Sequence, residues 1–84
     1  VENIELKSNV NIYPNPTTGV FNISLMKNED CVISIDNVLG QTIYNKIHNN
    51  LNSTTIDFSK LEKGVYMVNI QFDNSSSLTK VVVE

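Results

Sequence analysis

Arginine, alanine and tryptophan are missing altogether from these 84 residues, and cysteine and histidine occur once each. Each scarcity closes a class of function. Phosphate backbones are held by clustered Arg and Lys, whereas here the lysines are scattered and the net charge is −3. Nucleic acid is therefore excluded as a partner. Alanine is the best helix former, while Val, Ile and Thr suit pleated strands and Asn and Ser suit turns. A chain without the first and rich in the rest is an all-β chain. The single Cys31 cannot close an internal disulfide. It alternates onto the same face as Ile33 and Ile35, which makes it a small core hydrophobe and not a reactive thiol. The lone His48 stands among Asn49, Asn50 and Asn52, with no group to orient it as a base and no further ligands for a metal. It is expected to be a solvated loop histidine. No apolar run reaches the roughly 18 residues that a membrane helix requires, and no signal-peptide pattern is present. Because the chain opens on Val1 and not Met, it is expected to be a piece of a longer protein.

What is present reads as short strands and turns in one domain. Residues 1–9 are polar and irregular and are expected to be a linker tail or a loose first strand, with the domain proper at residues 10–84. After Val10-Asn11-Ile12-Tyr13, the run Pro14-Asn15-Pro16-Thr17-Thr18-Gly19 stops the strand. The two prolines lock φ and donate no hydrogen bond, and Gly19 can take a positive φ. Alternation then marks strands at 20–25 (Phe21, Ile23 and Leu25 inward), 31–36, 42–47 (Ile43 and Ile47 inward, Tyr44 outward), 54–58, 65–72 (with Tyr66 inward) and 78–83. Lys27-Asn28-Glu29-Asp30 and His48-Asn49-Asn50 read as turns, and Gly40 as the left-handed residue of a hairpin connection. The segment Ser59-Lys60-Leu61-Glu62-Lys63-Gly64 is too short for a helix and is expected to use Leu61 as a plug for the end of the core. The expected fold is all-β: a small antiparallel immunoglobulin-like β-sandwich of about seven short strands, with modest stability and little material to wall a cleft.

The residues that might carry chemistry are dispersed. Asp36, Asp57, Asp73, Glu29 and Asp30 do not form the dense acidic loop that calcium selects. The serines lack a nucleophile elbow. Asn22, Asn52 and Asn74 begin glycosylation sequons, which an Asn- and Ser-rich chain contains by chance. Tyr13, Tyr44 and Tyr66 would make a sugar-stacking platform only if they shared an outer face, and of these Tyr44 is the best candidate for surface recognition. No enzyme, cofactor, metal or small-molecule substrate is expected, and the domain is expected to be a monomer.

Four segments, in order, carry a resemblance. Ile12-Tyr13-Pro14-Asn15-Pro16-Thr17-Thr18-Gly19-Val20-Phe21 is similar to the opening signature of the type A C-terminal sorting domain of the type IX secretion system. Asp36-Asn37-Val38-Leu39-Gly40-Gln41 resembles its mid-domain turn, and the stretch from Ile56 through Leu61 to Gly64-Val65-Tyr66 resembles its leucine turn and Gly-x-Tyr. Lys80-Val81-Val82-Val83 resembles its closing strand, although Glu84 departs from the basic ending common in the family. The resemblance implies an address, with Pro14, Asn15, Pro16, Gly19, Gly40, Leu61, Gly64, Tyr66, Lys80, Val81, Val82 and Val83 as its motif residues. It implies an N-terminal cargo domain brought to the periplasm and recognition by the outer-membrane type IX translocon. A sortase-like peptidase then removes the domain by a cut near or before residues 1–9, and the cargo ends at the cell surface or is secreted. Recognition of a folded surface is expected, with an exposed sheet edge accepting a partner strand. A fibronectin-like or carbohydrate-binding accessory module and a plain structural spacer are the alternatives.

Overall fold

The computed structural model describes residues 10–84, so the expectation for residues 1–9 falls outside it. Five strands follow one another: β1 (Val10–Tyr13), β2 (Val20–Asp36), β3 (Thr42–Asp57), β4 (Gly64–Gln71) and β5 (Ser76–Val83). The sheet order is β1-β2-β4-β5, with β3 also paired to β2, and every pairing between strands is antiparallel.

The count is five and not about seven because β2 and β3 each run through both layers of the sandwich. The first part of β2 lies between β1 and the end of β3. Its second part lies between the start of β3 and β4. The polar residues 27–30 and 48–50, expected as turns, stay in the strands and fold the sheet over, with register shifts from Ser24 to Cys31. Bulges of this kind bend a strand without ending it, and composition alone does not distinguish such a bend from a turn.

Alternation delivers the core. Phe21, Ile23 and Leu25 from one layer meet Ile33, Ile35, Tyr66, Val68, Ile70, Val81 and Val83 from the other, with Ile56 and Phe58 closing one end. The Phe21 and Phe58 rings meet edge-on at 5.6 Å, and Phe58 lies 5.4 Å from the Tyr66 ring. Aromatic pairs favour such tilted contacts.

Register overturns the reading of β3. Ile35 pairs with Tyr44 and Val32 with Ile47. Tyr44 therefore shares the inner face and packs against the core, while Ile47 is 70% exposed and Ile43 lies at the surface. A shift of one residue exchanges the faces of a strand, and a bulge at Asp36 sets that shift. His48 likewise sits within β3 opposite Cys31, half-buried, and not in a solvated loop.

Candidate functional site

The four segments singled out in the sequence converge on one end of the sandwich. Residues 14–19 join β1 to β2 there, residues 37–41 join β2 to β3, residues 58–63 join β3 to β4, and β5 finishes alongside. Hydrogen bonds tie residues 14–19 to the end of β5 and Gly19 to Phe58, and residues 37–39 and 62–66 line one recess.

The first contact is a clasp. Asn15 donates its side-chain amide to the Lys80 carbonyl (2.8 Å) and accepts from the Val82 N–H (3.1 Å). A side-chain amide has the donor and acceptor of a peptide group, so Asn15 stands in for one residue of a neighbouring strand. Thr17 continues the pairing: its N–H donates to Val82 (2.8 Å) and its carbonyl accepts from Glu84 (2.7 Å), as an isolated parallel bridge. The Thr17 hydroxyl donates to the Val20 carbonyl and accepts from the Gly19 N–H. Both X-Pro bonds of the turn are cis, with Pro14 and Pro16 exposed. The outer edge of β5 is thus occupied from Lys80 to Glu84, and the expected addition of a partner strand cannot take place there. Thr17, buried and fully engaged, was missed in the sequence; its only signal is a hydroxyl two residues before a glycine, the pattern of a side-chain-capped turn.

Gly19 presses its backbone on the next connection. Its φ is +135°, a Cβ placed on it would lie 2.7 Å from Ser59 Cα, and its carbonyl accepts from the Phe58 N–H at 2.6 Å. Ser59 in turn donates its hydroxyl and its N–H to Asp57 Oδ1 (2.6 and 2.9 Å). The hydroxyl first, then the N–H, hold the Asp57 carboxyl below its ordinary pKa. Leu61 does not plug the core, because the tight turn that begins at Phe58 leaves it 43% exposed. Phe58 and Tyr66 fill that end instead, and the Tyr66 hydroxyl donates to the Glu62 carbonyl. Of the terminal motif, Val81 and Val83 are buried, Val82 is half-buried and Lys80 is exposed.

The turn at residues 37–41 is organised by Asn37. Its Oδ1 accepts from the N–H groups of Leu39 and Gln41, and its amide donates to Gln41 Oε1. Gly40 takes φ +84° with open space around it.

Elsewhere the arrangement offers little chemistry. Among the described residues no group of three or more His, Cys, Asp or Glu is placed to hold a metal. Cys31 is buried, and burial, then Glu29 and Asp30, push its thiol pKa up, opposite to what a nucleophile needs. Asn22 and Asn52 use their side-chain amides in hydrogen bonds to the Tyr13 and Leu25 carbonyls. Tyr66 is buried and Tyr44 half-buried, leaving Tyr13 at 51% exposure, so the tyrosines build no shared platform.

A family model for the secretion system C-terminal sorting domain matches residues 11–84. The chain belongs to that family. The sorting domain is a C-terminal sorting signal of type IX secretion, a tail that marks a cargo for export to the outer membrane, the cell surface or the medium. It is 29% identical over 82 residues to an endo-acting ulvan lyase of Formosa agariphila, a match that takes in 98% of this chain and 16% of the lyase. Its fold is that of a DUF3244 family protein from Bacteroides vulgatus, an immunoglobulin-like β-sandwich solved by crystallography. The TM-score is 0.79 at 12% identity, covering 90% of this chain and 84% of the other.

Proposed function

We propose that the sorting domain acts folded and without catalysis, as the feature by which the outer-membrane type IX translocon selects its cargo. The cargo lies N-terminal to residue 10, crosses the periplasm with the domain attached, and is separated from it by a sortase-like peptidase near residues 1–9. One observation carries this reading: the four family segments, far apart in sequence, meet at a single end of the sandwich. Val10 stands towards the other end, since it pairs with Leu25 beside the bend in β2.

Fusing residues 1–84 to a periplasmic reporter in a type IX-competent cell tests the proposal. The reporter should reach the cell surface or the medium, and removal of residues 80–84 should leave it in the periplasm. Normal export of the truncated fusion would overturn the reading. Saccharide affinity of the isolated chain, measured by glycan titration, would favour an accessory binding module in its place.

A further inference from the structure

Two apolar side chains stand in solvent at the marked end, with Val38 73% exposed and Leu39 80%. Folding does not require them. The turn is held by Asn37, through its side chain and through backbone bonds from the Asn37 N–H to Gln41 and from the Gly40 N–H back to Asn37. Its two central positions accept polar residues equally well. The same bonds hold Val38 and Leu39 in a preset position, so little ordering remains to be done on binding. The connection at residues 58–63 reaches this turn through Glu62 and Lys63. Between the two loops lies a recess of about 130 Å³, lined by Val38, Leu39, Val65 and Tyr66, with Glu62 and Lys63 as its charged members. Small-molecule sites run to roughly 300–1,000 Å³, so this recess suits one side chain of a protein. An apolar centre with charged neighbours is the anatomy of a protein interface.

We infer that Val38 and Leu39 are the hydrophobic anchor with which the folded domain docks on the receiving protein of the type IX machinery. That protein offers an apolar socket for them and sets one side chain into the recess. The inference rests on the sorting function proposed above. The occupant follows from the family, whose domain marks a cargo for type IX export, and the described chain leaves the turn uncovered, since its first residue, Val10, pairs with Leu25 towards the opposite end.

The test compares the reporter fusion with its V38S/L39S variant. Circular dichroism should show the same melting temperature for both, since exposed turn positions contribute little to stability. Export by the variant should fall about tenfold or more, as when central apolar contacts of an interface are removed. Wild-type export from the folded variant overturns the anchor while leaving the sorting reading intact. Failure of the unmutated fusion to export defeats both. Light scattering that shows a dimer of the wild-type chain, lost in V38S/L39S, would assign the patch to a second copy and overturn the inference. A variant with a lowered melting temperature is replaced by V38T/L39Q, judged by the same export criterion.

Discussion

Replacing Asn15 by Ala removes both hydrogen bonds of the clasp while leaving the prolines and Thr17 in place. Each bond contributes roughly 0.5–1.5 kcal/mol net, and because this pair is exposed the low end applies, about 1 kcal/mol in all. For a domain of this size that corresponds to a fall in melting temperature of about 4–8 °C. The consequence is local as well. Amides freed from their acceptors exchange faster with solvent, so in N15A the Val82 N–H, which loses its only described acceptor on that edge, should exchange faster by NMR. The amides of Ile33 and Val68, in the middle of the sheet, should speed up only as far as the loss of global stability requires. Asn15→Asp is the sharper variant: it keeps an acceptor for Val82 but sets a carboxylate against the Lys80 carbonyl. It should melt no higher than N15A near neutral pH. An unchanged melting temperature in N15A, with the Val82 amide still protected, would refute the claim that Asn15 acts as a surrogate strand.

Other consequences can be measured directly. Gly19→Ala should cost more than Gly64→Ala by thermal melting: both positions have positive φ, at +135° and +153°, but only Gly19 would drive a Cβ into the Ser59 backbone. The backbone conformation alone is worth about 1–3 kcal/mol, and equal losses at the two sites would remove the packing argument. Burial first, and Lys46 second, lower the pKa of His48, whose Nε2 is buried without a described partner. The native state then binds fewer protons than the unfolded chain between the usual histidine value of about 6.5 and the lowered one, so stability is full above that window, declines as the pH falls across it and levels off below the lowered value. Urea titrations from pH 7.5 to 5.5 should show this decline, and His48→Gln should flatten it. Cys31, buried and shifted upward, should resist iodoacetamide in the native protein and react on unfolding, as mass spectrometry would report.

Alternation made the inward faces of β2 and β4 legible, because Phe21, Ile23, Leu25, Tyr66, Val68 and Ile70 each sit two residues from the next. The same rule failed for Ile43, Tyr44 and Ile47. On an edge strand with mixed residues, a bulge settles the face, and a bulge is a property of two paired strands. The bends at residues 27–30 and 48–50 were hidden for a related reason: turn-forming residues also serve where a continuous strand folds over. The site was half legible. The prolines and glycines announced stiff corners, but Thr17 carries no mark of its burial, and Val38 and Leu39 look in sequence like any apolar pair.

Composition and periodicity by themselves determined the class, a small β-sandwich without disulfide, basic patch or dense metal motif, since those properties depend only on residue type and spacing. The four ordered segments also made the family recognisable. The tertiary structure alone decided that these segments share one end, that Asn15 and Thr17 close the edge of the last strand, and that Val10 stands beside the bend of β2. Such relations join residues as much as 67 positions apart, as between Asn15 and Val82. Local sequence carries no term for them; they arise only when long strands fold back and bring distant backbone groups within hydrogen-bonding reach.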